Sequence, residues 1–272
     1  MLSSPRPSTA RSPLVAVLLL IIAAMVITLG VFLADRHRLT SELAQARAAQ
    51  STDSATSPSE ESPDAQKGKT AQDPNAPAPT ETRPDVLEIL HSQVKRDPHD
   101  AQAKGKVDAK VVMVVYSDFA CPYCTLFAKE VAPTLNDLIE DGTLRIEWRD
   151  LAQITASSPL AAQAGRAAAA QNRFWEFHDA VYAAAGEGEH PEYTQDSLIE
   201  FAKQAGVGDL EAFTRAMNAP ETVAAVEAAK QDAYAVGITG TPFMIIGDSF
   251  VPGYRGPESV RATVEAQAAA AQ

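Results

Sequence analysis

Cysteine is nearly absent from this chain: 272 residues hold two, Cys121 and Cys124. Two are too few for a disulfide-stapled scaffold. They are also too few for a four-ligand zinc site unless histidines or carboxylates complete it. The five histidines, His37, His91, His99, His178 and His190, show no paired ligand spacing, so no metal is expected. Basic charge is short as well, with 23 Lys and Arg against 35 Asp and Glu and a net charge of −12. Phosphate contacts need a basic face, which argues against nucleic acid as a partner. The acidic balance reads instead as a solvated surface. Residues 51–85 contain no Val, Ile, Leu, Met or aromatic residue. Such a stretch cannot bury enough apolar surface to order itself. It reads as a tether, stiffened locally by Pro74, Pro77, Pro79 and Pro84. No internal repeat is visible.

Residues 14–33 lack any charge and run for twenty residues, LVAVLLLIIAAMVITLGVFL. Twenty apolar residues span ~30 Å, one bilayer core. Cleaved signal peptides have a shorter apolar region with a small-residue site close behind it. Here the run ends Phe32-Leu33-Ala34-Asp35, a poor site, and Ala44-Gln45-Ala46 lies well beyond it. An uncleaved signal anchor is the reading, with cleavage as the alternative. No cysteine follows the span directly, which excludes a lipidated N-terminus. Arg6 and Arg11 precede it, and Arg36, Arg38 and Arg47 follow, so the charge rule does not set orientation. The cysteine chemistry below suits an oxidising compartment. The expected organisation is a short cytoplasmic N-terminus (1–13), a single transmembrane anchor (14–33), a flexible extracytoplasmic linker (34–85) and a folded domain (86–272) at the outer face of the cell membrane.

Within the domain, a short helix from Pro84 to about Arg96 comes first, ended by Asp97-Pro98. A polar, loop-like stretch reaches Ala109. Val111 to Tyr116 is a continuous β-branched run, the pattern of a strand buried on both faces. After the turn Ser117-Asp118-Phe119-Ala120 comes Cys121-Pro122-Tyr123-Cys124. Pro122 suits the first position of a helix, where its missing N–H is not needed, and this puts Cys121 at the N-cap. Leu126, Phe127, Val131, Leu135, Leu138 and Ile139 continue the helical spacing to a stop at Gly142, with a kink at Pro133. Helix N-termini carry partial positive charge and free N–H groups, which lowers a thiol pKa. Cys121 is therefore read as the exposed nucleophile. Cys124, one turn in and more buried, is the thiol that resolves a mixed disulfide. The competing reading is a structural disulfide. Two intervening residues close a strained ring, which favours lability.

A second signal is Gly240-Thr241-Pro242 followed by the apolar run Phe243 to Ile246. A proline is tolerated at the first position of a strand. With both motifs in this order, the chain resembles the DsbA-like thiol–disulfide oxidoreductases of the thioredoxin superfamily, notably the membrane-anchored bacterial members. The resemblance covers roughly residues 87–270. It implies a thioredoxin fold, an α/β class, with an inserted helical domain at about 152–238. It places Thr241 and a cis Pro242 against the Cys121 sulfur, with Pro122 and Tyr123 as active-site support. It implies no cofactor beyond the Cys121–Cys124 redox disulfide. It also implies exported cysteine-containing proteins as substrates and a membrane quinone-linked partner for reoxidation. Many relatives carry an acidic residue six positions before the first cysteine, where Val115 stands here. This puts the proton route to the second cysteine in question, with Asp118, read as lying in the surface turn, and Glu147 as candidates.

Between the strand LRIEWRDL (144–151) and Gly240, several helices can be marked. Residues 159–170 are Ala-rich. Phe174, Trp175, Phe177, His178, Val181 and Tyr182 form one helical face, read as core packing in preference to a peptide groove. Thr194 and Asp209 are N-caps, and Pro220 opens the last helix of the block. Gly247-Asp248 is a tight turn, residues 249–252 a short strand, and Gly256-Pro257 the start of a C-terminal helix. Thioredoxin and glutaredoxin proper have no helical block this long. The functional expectation is a protein disulfide oxidase. The alternatives are a reductase or isomerase, a dedicated redox carrier with the same site, or a non-catalytic thioredoxin-fold module that binds peptide.

Overall fold

The structure, a computed structural model, describes residues 73–271. Residues 14–33 and the first part of the expected linker lie outside the described residues. Among the described residues no helix is long and apolar enough to cross a membrane.

Strand β1 (Ala103–Lys104) is a two-residue edge strand in the stretch expected to be loop. Strand β2 (Val111–Ser117) follows, and then the redox helix α2 (Pro122–Leu126), preceded in the chain by α1 (Pro84–Gln93). Beyond Leu126 the helix changes pitch. Phe127–Val131 is a π turn and Ala132–Leu135 a 3-10 turn, before α3 (Asn136–Glu140) resumes the α ladder. The cause is Pro133, which cannot donate to the carbonyl one turn back. The Ala132 N–H reaches instead to Phe127 O, five residues earlier. The expected kink is thus spread over two turns. Strand β3 (Leu144–Asp150) leads into four helices: α4 (Ser158–Ala169), α5 (Phe174–Ala184), α6 (Gln195–Gln204) and α7 (Leu210–Met217). The longer α8 (Pro220–Ala235) returns the chain to β4 (Phe243–Ile246), β5 (Ser249–Pro252) and α9 (Pro257–Ala270).

The sheet order is β1-β3-β2-β4-β5. Strands β2 and β3 run parallel, with Val115 opposite Trp148, and the other pairs are antiparallel. All seven residues of β2 are buried, because both faces of the sheet are covered. On one face Val111, Met113 and Val115 pack with Phe127, Val131, Leu135, Val260 and Val264. On the other, Val112, Val114 and Tyr116 pack with Leu90, Ala233 and Ile238. The inserted helices have a core of their own, centred on Phe119, Phe174, Phe177, Tyr182, Leu198 and Phe213, and both cysteines belong to it. The Phe174 to Tyr182 face is therefore core, and His178 sits inside it among aromatic rings. The two expected caps are made: Thr194 accepts from the Ser197 N–H and Asp209 from the Ala212 N–H.

The end of the expected linker lies on the fold. Thr80 bridges to Ser249, Ala78 N–H donates to Thr263 Oγ1 at 2.8 Å, and Ser259 Oγ–H donates to Ala76 O at 2.7 Å. Gln267 Nε2 donates to Thr80 Oγ1 at 3.1 Å and Glu81 N–H to Asp248 O at 2.8 Å. Residues 73–83 therefore strap α9 and the β4–β5 turn, and the domain begins before residue 86.

Candidate active site

Strand β2 delivers the site at its C-terminal end. Cys121 is the N-cap of α2 in extended backbone, with Pro122 at the first helical position. Its carbonyl accepts from the Cys124 and Thr125 N–H groups, each at 3.0 Å. The chain before β4 brings the second motif back, with the Thr241-Pro242 bond cis. The Cys121 thiol donates to Thr241 O at 3.4 Å, so the two motifs meet as expected. Cys121 and Cys124 are free thiols. Cys121 is not the exposed sulfur expected of it: the residue is 2% exposed and Cys124 1%, because both pack in the insertion core and Thr241 lies against the first.

The two thiols nevertheless differ in charge preference. The Cys124 thiol hydrogen-bonds the Cys121 sulfur, and with the Thr241 side chain and the Cys124 and Tyr123 N–H groups it outweighs burial and lowers the Cys121 pKa to about 6. Burial in the apolar core, then the neighbouring Cys121, pushes the Cys124 pKa well up. The Thr241 hydroxyl is buried, and the Cys121 thiolate is the acceptor it would serve. Tyr123 is the exposed member of the motif, its ring stacked on Tyr254 at 6.5 Å, and the Tyr254 hydroxyl donates to Glu130 at 2.5 Å.

Asp118 is not on the surface. It is 2% exposed and its carboxylate accepts four hydrogen bonds. Ala120 N–H and Ser158 Oγ–H reach Oδ1, each at 2.8 Å. Gln153 and Ile154 N–H reach Oδ2 at 2.7 and 2.8 Å. The active-site turn is thereby pinned to the start of the insertion. Two tyrosines add to the hold, Tyr182 donating to Asp118 O at 3.0 Å and Tyr193 to Phe119 O at 2.8 Å. The sequence reading missed Tyr193, Tyr254 and Ser117. Only the Asx turn at Asp118, a side-chain acceptor two residues before Ala120, has a local signature. Glu147 does not serve Cys124. It pairs with Val114 on the sheet face away from the redox helix. Its carboxylate is held by the Lys95 and Arg96 N–H groups and by Arg145 and Arg149. Among the described residues no group of three or more His, Cys, Asp or Glu is placed to hold a metal ion.

A mixed sheet, a dithiol at a helix N-terminus and a facing cis proline define a thioredoxin-fold redox protein. The thioredoxin family model matches residues 99–266, more than half of the chain, and the chain belongs to that family. Its sequence is 28% identical over 149 residues to the "Probable disulfide bond formation protein D" of Bacillus cereus, covering 53% of this chain and 69% of that protein. It is 37% identical over 98 residues to the Na(+)/H(+) antiporter NhaA 3 of Salinispora tropica, covering 35% of this chain and only 14% of the antiporter. Among solved structures, oxidised BdbD from Bacillus subtilis superposes with a TM-score of 0.57 at 22% identity, covering 62% of this chain and 92% of that one. The fold is that of the DsbA-like structures it superposes on.

Proposed function

We propose that the chain is an extracytoplasmic thiol–disulfide oxidoreductase acting as an oxidase, which passes its Cys121–Cys124 disulfide to exported cysteine-containing proteins. One observation carries this reading. Cys121 is set up as a thiolate near neutral pH while Cys124 stays a thiol. Stabilising the reduced form in this way makes the disulfide a stronger oxidant. A substrate thiolate attacks Cys121 Sγ, the Cys121–Cys124 bond breaks, and its electron pair leaves on Cys124 Sγ, which takes up a proton. A second substrate thiolate then attacks the substrate sulfur of the mixed disulfide. Cys121 leaves as a thiolate, the substrate is oxidised and the enzyme reduced by two electrons. The disulfide is the whole redox centre in this scheme, with no cofactor. Thr241 and Pro242 receive the substrate backbone, and a membrane quinone-linked partner reoxidises the dithiol. Residues 14–33 anchor the domain to the membrane. The Bacillus relative's name, disulfide bond formation, agrees with this direction.

The reduction potential of the purified chain in glutathione buffers tests it. A value near roughly −120 mV is expected for an oxidase, whereas roughly −270 mV would make the protein a reductase that needs an electron supply.

A further inference from the structure

The exchange chemistry leaves one problem open. Each time the Cys121–Cys124 bond is cut at Cys121, negative charge appears on a sulfur that is 1% exposed. An uncompensated charge there is costly. Val115, within the central strand β2, supplies no polar group. The charged and titratable groups around Cys124 are few. Asp118 has both oxygens committed to Ala120, Ser158, Gln153 and Ile154. His178, on α5, is buried, is held neutral chiefly by that burial, and turns its Nδ1 to Asp179 at 2.8 Å. Cys121 is itself the attacked atom. Two hydroxyls remain. Ser117, the last residue of β2, is 2% exposed, and its side chain is one of the groups that favour ionisation of the Cys124 thiol. The same Oγ is 3.1 Å from the Tyr182 hydroxyl. Tyr182 in turn donates to Asp118 O at 3.0 Å. The Asp118 N–H also favours the Cys124 thiolate.

We infer that Ser117 is a catalytic residue of the exchange reaction and Tyr182 its positioning residue, the pair receiving the negative charge that develops on Cys124 in place of an ionisable acid. With Cys124 as a thiol, the Ser117 O–H has the Tyr182 oxygen as acceptor, since the Tyr182 proton is on Asp118 O. As the sulfur–sulfur bond breaks, the Ser117 O–H turns to the Cys124 thiolate. The Tyr182 O–H can then turn to the freed lone pairs of Ser117 Oγ. No proton has to be lost from either hydroxyl, because the proton that ends on Cys124 comes from solvent. Tyr182 is suited to this role: its burial, and then the nearby Cys124, hold its own ionisation far above neutrality. Hydrogen bonds to charged groups are the stronger kind, and a better-stabilised leaving thiolate departs faster.

This inference rests on exchange at Cys121 but not on its direction. The test is the rate at which glutathione reduces the oxidised full chain, from pH 5 to 9, corrected for the glutathione thiolate fraction. Ser117→Ala is expected to slow attack about tenfold while the Cys121 alkylation profile keeps its midpoint. Ser117→Thr, which restores a hydroxyl, should recover most of the rate, and Tyr182→Phe should give a smaller loss of about threefold. A Ser117→Ala rate equal to the parent's, or a Ser117→Thr rate as low as that of Ser117→Ala, overturns the inference. Should Ser117→Ala fail to fold, an unchanged rate in Tyr182→Phe overturns it instead. A parent chain that does not exchange with glutathione at all would remove the exchange reading and this inference together. A parent that exchanges while Ser117→Ala keeps pace would remove only the role of Ser117.

Discussion

At the scale of single residues, the site depends on two sulfurs of one type given opposite protonation preferences by their surroundings. The Cys121 pKa falls from 9.0 to about 6. An acid whose folded pKa is depressed binds fewer protons in the folded than in the unfolded state, so stability rises with pH between the two values. The reduced protein should therefore gain stability from about pH 6 to pH 8 and lose that gain as pH falls through 6. Cys121→Ser should flatten the slope, as urea midpoints across this range would show. The identity of both cysteines, of Thr241 and of Pro242 was legible in the sequence because each sits in a short motif whose geometry is local. The low exposure of Cys121 was not legible, since part of its cover comes from a residue 120 positions away. Ser117 carried no signal either: a serine closing a strand is common, and its meaning comes only from Tyr182 reaching it across the fold.

At the scale of elements, the insertion does more than enlarge the domain. Through Asp118 it fixes the turn that sets the N-terminus of the redox helix. Replacing Asp118 by Ala would leave four donors without their acceptor, three of them backbone N–H groups at Ala120, Gln153 and Ile154. The expected loss is on the order of 3 kcal/mol in urea unfolding. The shift should come with a raised Cys121 pKa, because the Cys121 N–H itself donates to Asp118 O. Retention of both parental values would show that the turn is held by other means. The elements themselves were largely readable. The β-branched run gave β2, prolines and caps gave the starts of α2, α6, α7, α8 and α9, and the length of the block between β3 and β4 gave the insertion. Strand β1 was not readable because two residues carry no periodicity. The π turn was not readable because Pro133 predicts a break in the ladder without saying how neighbouring carbonyls are re-paired.

At the scale of the whole molecule, composition misplaced the domain boundary. Residues 73–83 have no large apolar side chain, so pattern reading assigns them to the tether. They are held instead by backbone groups and by one small buried residue, Ala78. Removing residues 1–83 should destabilise the domain by on the order of 3 kcal/mol, several ordinary hydrogen bonds' worth, relative to a chain starting at residue 73. The Cys121 alkylation profile should stay unchanged. Equal unfolding midpoints for the two would mean the strap is ornamental. The insertion also has a consequence for how the protein is made. The nucleophilic sulfur and its cover are separated by 120 positions, with seven α-helices, α2 to α8, between them. As the chain is synthesised, Cys121 is present long before Thr241, and closing so long a loop is slow. During that interval the two thiols lack the cover that the finished fold gives them.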